Sequence, residues 1–223
     1  MSGVFFKQLV RETALAVSSR QGVFHSLVFF MIILVFFPLT LPADPKLLRQ
    51  VAPGIIWTAL LFAFFLSAER LYQQDYDDGV IEQWLVSGYP LHRIVTAKLC
   101  VHWLANIVPM LVLSPLVAVL FGLNYFETYV LAFSLLLGSP AVFFLCAFAA
   151  TFTIGLKQKG MLSALILFPL TIPVMIFGSG ALIGAMHGMA IQGFFALLLA
   201  FSLLACACIP FAIAMLVRVL ACR

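Results

Sequence analysis

Residues 191–217 read IQGFFALLLAFSLLACACIPFAIAMLV, twenty-seven consecutive positions without an Asp, Glu, Lys or Arg. A helix needs about 20 predominantly apolar residues to cross the hydrocarbon core of a bilayer, so this run predicts a membrane-spanning helix. Working back along the chain, five further runs qualify: Val23–Leu41, Pro53–Ala68, Leu99–Phe121, Tyr129–Leu156 and Met161–Ile183. The second is short unless it borrows Val51, Ala52, Leu71 and Tyr72. Turn chemistry separates the runs. Pro42-Ala43-Asp44-Pro45 ends the first, and Gly122-Leu123-Asn124 ends the third. Ser87-Gly88-Tyr89-Pro90 precedes the third, with Pro90 suited to a helix's first turn.

Composition agrees. Of 223 residues, 65% are hydrophobic and 9% charged, whereas about a quarter of a soluble domain is charged. A globule of this size leaves much of its surface in water, so the solvent for these side chains must be lipid. The mean hydropathy of +1.18 belongs to the same class. The expected fold is an all-α membrane protein with six transmembrane helices.

The basic residues give the orientation. Lys7, Arg11 and Arg20 precede the first run; Arg70, Arg93 and Lys98 lie between the second and third; Lys157 and Lys159 follow the fourth; Arg218 and Arg223 follow the sixth. With six spans these segments share one side and hold ten of the twelve basic residues, leaving Lys46 and Arg49 opposite. Basic loops stay cytoplasmic, so both termini are expected in the cytoplasm. The first run is too long for a secretory signal, and Leu41-Pro42-Ala43 is no A-x-A site; an uncleaved span is expected. Ahead of it, Phe5, Phe6, Leu9, Val10, Thr13, Ala16 and Val17 fall on one helical arc, opposite Lys7, Gln8, Arg11, Glu12, Ser18 and Ser19. That pattern predicts an amphipathic helix lying in the membrane interface.

Several chemistries are missing. No G-x-x-x-x-G-K-[ST] loop is present; Gly155-Leu-Lys-Gln-Lys-Gly160 has other spacing and reads as a tight basic turn. Ion-coupled transporters bury ionisable groups within their spans. Here Glu69 and Lys98 sit at span ends, and Glu127 is placed in a short outer loop. Cys100, Cys146, Cys206, Cys208 and Cys222 are an odd number without loop pairs and read as small apolar side chains. His25 and His92 fall at interfaces and His187 in the last outer loop; no two histidines have ligand spacing. His102, with Trp103 beside it, falls inside a span, as an interfacial anchor, an interhelical hydrogen bond or a haem contact. No metal site, nucleic-acid surface or catalytic residue is expected.

The longest wet segment, residues 69–98, carries five of the eight acidic residues. Within it Asp77 or Asp78 suits a helix cap, Gly79 allows a turn, and Val80–Val86 mixes Val80, Ile81, Trp84 and Leu85 with Glu82 and Gln83. A short amphipathic helix flanked by carboxylates suits docking of another protein. It also suits a solvated loop whose Trp84 and Leu85 rest on the bilayer.

An ordered set of motifs resembles the CcmB family, haem exporter protein B of cytochrome c maturation. It comprises Ala52-Pro-Gly-Ile-Ile-Trp57; Glu69-Arg70-Leu71 with Asp75, Asp78-Gly79 and Glu82-Gln83; His102-Trp103; Leu113-Ser-Pro-Leu116; Leu135-Leu-Leu-Gly-Ser-Pro140; Gly155-Leu-Lys157; and Pro169-Leu-Thr-Ile-Pro173. The match runs from about residue 20 to 218. It implies an ABC-2-like permease subunit of the bacterial cell inner membrane, present in two copies and not itself an enzyme. ATP would be bound by a separate ATPase subunit, CcmA, with CcmC and CcmD as further partners and the haem chaperone CcmE served indirectly. ATP hydrolysis would drive either transport of haem as the substrate or release of the haem-loaded chaperone, with no cofactor bound by this chain. The resemblance and the loop chemistry together make Glu69, Arg70, Asp75, Asp78, Gly79, Glu82, Gln83, Trp84 and Leu85 the candidate ATPase-coupling residues, on a cytoplasmic coupling helix. The expected division is an interfacial helix over 1–22, a six-span permease domain over 23–218 with its coupling loop at 69–98, and a cytoplasmic tail over 219–223. A scaffold that anchors the ATPase without conducting, and a haem-binding membrane protein using His102, are the competing functions.

Overall fold

The computed structural model describes residues 20–42, 44–72, 75–76, 78–86, 88–152 and 159–221. The expected interfacial helix at the N-terminus, apart from residues 20–22, and the Gly155–Gly160 turn, apart from its last two residues, lie outside them. The described residues form eight helices and no strand: α1 (Arg20–Thr40), α2 (Pro45–Leu71), α3 (Val80–Val86), α4 (Leu91–Val112), α5 (Ser114–Phe121), α6 (Tyr125–Thr151), α7 (Lys159–Met186) and α8 (Gln192–Ala221). Six of them, α1, α2, α4, α6, α7 and α8, are long and apolar enough to cross a membrane. The end carrying Arg20, Arg70, Arg93 and Arg218 is termed the basic end, and the other the far end.

α4 starts at Leu91 rather than Leu99 and α6 ends at Thr151 rather than Leu156, and three further span limits differ from the expected ones for a local reason. α2 starts at Pro45 because Asp44, in extended conformation, accepts a hydrogen bond from the Lys46 N–H at 2.9 Å and Pro45 occupies the first turn. Lys46 and Arg49 therefore ride on the helix. At about 1.5 Å per residue α2 is about 40 Å long, beyond the ~30 Å hydrocarbon core, so its charged ends can remain at the interfaces. The third run is two helices. α4 stops at Val112 and α5 restarts at Ser114, with Pro115, which brings no N–H, in the first turn of α5. The fourth run starts earlier, at Tyr125, and Glu127 is not in a loop. Asn124 accepts from the Glu127 N–H at 2.9 Å, and the Glu127 carboxylate accepts from the Asn124 N–H at 3.0 Å. This reciprocal cap places Glu127 in the first turn of α6, where it is 1% exposed.

α6 is the centre of the bundle. It packs along α8, α7 and α2, and also against α4. Trp57 of α2 is fully buried, and Gly138 of α6 and Gly178 of α7 give it room. A Cβ on Gly178 would stand 2.2 Å from the Trp57 ring, and one on Gly138 2.6 Å from it. Phe64 of α2 meets Phe143 of α6 edge to face, with ring centroids 5.3 Å apart. Polar ties run between spans. Ser26 Oγ donates to Asn106 Oδ1 at 2.5 Å, joining α1 to α4. Trp103 Nε1 donates to Ser139 Oγ at 3.0 Å, joining α4 to α6. Ser202 Oγ donates to the Leu137 carbonyl at 2.5 Å, joining α8 to α6. At the far end Arg49 of α2 is ion-paired with Glu127 of α6.

Gly178→Ala should lower the denaturation midpoint of the purified protein, since overpacking a close-packed site costs about 1–3 kcal/mol. Gly54→Ala, where a Cβ meets nothing within 4 Å, should leave the midpoint unchanged. Arg49→Ala removes the cation from the buried Glu127 carboxylate and leaves it only the Asn124 donors. Breaking a buried pair costs about 3–5 kcal/mol, and half-exposed Arg49 puts the expected loss at or below about 3 kcal/mol. Arg49→Leu with Glu127→Leu should recover most of it in the same thermal assay.

Candidate coupling site

The connection from α2 to α4 passes over the basic end. α2 ends at Leu71, and Tyr72 behind it is buried. The chain then turns at Gly79, whose N–H donates to the Tyr76 carbonyl at 3.2 Å and whose φ of +68° suits a residue without Cβ. α3 follows and packs on α8 and α4. Its apolar residues three apart, Ile81 and Trp84, lie on one helix face and are buried at 4% and 5% exposure. Glu82, Gln83 and Val86 point away, with Val86 86% exposed. A second left-handed glycine, Gly88 at φ +70°, leads through exposed Tyr89 to Pro90 and the start of α4.

Beneath α3 lies Lys98, which the sequence placed in the wet loop. It sits instead in the second turn of α4 and is only 5% exposed. Side chains in a helix lean toward its N-terminus, which directs Lys98 back to the basic end. There it is ion-paired with Asp75 and lies 5.6 Å from the centre of the Trp84 ring.

The candidate residues are thereby divided. Asp75 and Trp84 turn inward around Lys98. Arg70, Asp78, Glu82 and Gln83 are exposed, Glu69 and Gly79 are half-buried, and Leu85 lies in α3 with a side chain outside the described set. The wet edge also contains Tyr76 and Tyr89, 43% and 51% exposed, and Val86, none of which the sequence singled out. His102 and Trp103 stand apart, one turn further along α4. The His102 carbonyl accepts from Asn106 Nδ2 at 2.8 Å, and Trp103 serves the tie to Ser139. Among the described residues no group of three or more His, Cys, Asp or Glu could hold a metal ion.

These features define a multi-pass, all-α membrane protein with one short helix laid across its basic end. The chain belongs to the CcmB protein family, whose model matches residues 3–220. It is 42% identical to heme exporter protein B of Pseudomonas aeruginosa over 214 residues, covering 96% of each chain. It is 37% identical to heme exporter protein B of Haemophilus influenzae and 38% identical to that of Escherichia coli K12, covering 97% of this chain and 98% of each relative.

The two faces of α3 should be separable by labelling in opened membranes, in a chain whose five native cysteines are replaced by alanine. Cysteine at Glu82 or Val86 should react with a polar maleimide about tenfold or more faster than cysteine at Ile81 or Trp84, because packing excludes the reagent from the buried face.

Proposed function

We propose that the chain is the permease subunit of an ABC-type complex that supports haem export to the periplasm for c-type cytochrome biogenesis. In this proposal it lies in the bacterial inner membrane with the basic end and both termini in the cytoplasm. ATP is hydrolysed by a separate subunit of the CcmA type, CcmC and CcmD complete the assembly, and the haem chaperone CcmE receives its benefit. Membership of the heme exporter B family supports the substrate, and the excess of Lys and Arg at one end supports the orientation.

The observation that carries the coupling role is the wet edge of α3. A short helix laid across the end of a bundle, with the turn that precedes it, presents Asp78, Glu82, Gln83 and Val86 outward while Ile81 and Trp84 seat the helix on α4 and α8. An apolar residue ringed by charge at the membrane surface is suited to a protein partner. Docking is carried by these outward residues, and Asp75 and Trp84 act from below.

In this proposal the haem passes outside the centre of each copy. Trp57 fills the space between α2, α6 and α7, so a path runs along the surface of a copy, between two copies, rather than through its centre. A groove of about 460 Å³ on that surface is lined by Phe37 of α1, Gln50, Gly54 and Thr58 of α2, and Ser179 and Ile183 of α7. The filled centre equally favours the second reading, a scaffold that conducts nothing and couples ATP hydrolysis to chaperone release.

Asp78→Ala with Glu82→Ala should reduce the co-purified ATPase about fivefold or more, as loss of two interfacial charges does. Undiminished ATPase with normal haem delivery sinks the docking role. Reconstitution with the ATPase in sealed vesicles separates the two readings: ATP-dependent haem on the far side supports export, and chaperone release without it supports the scaffold.

A further inference from the structure

We propose that Lys98 is the strut through which displacement of α3 reaches the third span, a positioning role that rests on the docking of an ATPase at the wet edge of α3. Three pieces of chain meet at this one ammonium. Lys98 belongs to α4, Asp75 to the segment that leaves α2, and Trp84 to α3. Tyr72, three residues before Asp75, and Ile81, three before Trp84, are both buried.

An ammonium this deeply buried near the membrane is costly to keep, and such groups are retained where they pair and where they work. A helix docked by Ile81 and Trp84 alone would be held by apolar contact, which resists separation but not sliding. The Lys98 contacts add direction. The ion pair with Asp75 sets the ammonium's distance from the end of α2, and the Trp84 face, with its negative quadrupole, attracts it from the side of α3. A push on Glu82 or Val86 therefore arrives at the second turn of α4, where that span begins. The peptide connection alone would deliver it less directly, because the chain between α3 and α4 turns at Gly88.

The test uses the complete complex in native membranes, with three readouts on each variant: ATPase retained, ATP hydrolysed and haem delivered to the chaperone. Lys98→Met keeps the stem and removes the charge. It should retain at least about half of the ATPase and of the hydrolysis while lowering delivery about tenfold, and Asp75→Asn should act in the same direction. Lys98→Arg, which preserves the charge and stacks well on Trp84, should stay within about threefold of the wild type. Normal delivery in Lys98→Met overturns the strut and leaves the docking role intact. Loss of ATPase in step with delivery also overturns it, because Lys98 would then merely shape the docking surface. Absence of both Lys98→Met and Asp75→Asn from the membrane assigns the pair to folding and overturns it too. If the unaltered chain retains no ATPase, the docking role itself fails, and the strut with it.

Discussion

Apolar side chains gain little by turning from lipid toward one another, so helices in a bilayer associate where backbones approach closely and surfaces interlock. Trp57 against Gly138 and Gly178 is that place in this chain. The indole is fully buried, and the two glycines leave no room for a single extra carbon. Its Nε1 has no hydrogen-bond partner among the described residues. The ring is therefore held by shape, not by a donor–acceptor pair. That contact joins α2, α6 and α7, and α6 then carries α8 and α4. α1 lies at the edge, with Phe24, Ile32, Phe36 and Leu39 exposed where lipid or another helix would meet them.

Around this centre the polar ties have a division of labour. In mid-span they are neutral: Ser26 to Asn106, Trp103 to Ser139, and Ser202 to the Leu137 carbonyl. Each satisfies a group that hydrocarbon would leave stranded, and each fixes the rotation of one helix against its neighbour. Among the described residues the charged pairs lie at the ends, Arg49 with Glu127 at the far end and Lys98 with Asp75 at the basic end. Both pairs involve α2 or the segment that follows it. α2 is thus tied to α6 at one end and, through Asp75, to α4 at the other, while its middle is gripped by the glycines.

The spans were legible in the sequence because lipid imposes one coarse demand, length without charge, and α1, α7 and α8 begin and end close to where that demand placed them. Their ends were less legible because local chemistry decides them. The cap Asn124-x-x-Glu127 has the reciprocal spacing that starts a helix, and it overrode the impression that a carboxylate must mark a loop. Asp44 followed by Pro45 was a signal for the early start of α2. The acidic segment was found by composition, but which of its residues face the protein depended on Lys98. That lysine lies beyond a glycine turn, and no periodicity within Val80–Val86 points to it. Alternation of apolar and polar positions placed Trp84 on an apolar face, yet could not say whether bilayer or protein covers that face. A lysine lying over the ring says protein.

That distinction bears on how work could enter the bundle. A helix resting on lipid transmits little force, because lipid yields sideways. A helix seated on α4 and α8, with a buried ammonium under its aromatic ring, pushes on solid. The far end holds the other fixed point, since Arg49 and Glu127 clamp the far ends of α2 and α6. A displacement at the basic end then cannot move α2 as a rigid rod without breaking the far-end pair. Under the proposed coupling α4 would pivot about its Lys98–Asp75 end, loosening the neutral ties that Ser26, Asn106 and Trp103 make. Those ties cost little to exchange compared with a buried charge pair. The placing of neutral bonds in the middle and charged ones at the ends therefore favours a hinge in which α4 is the moving part.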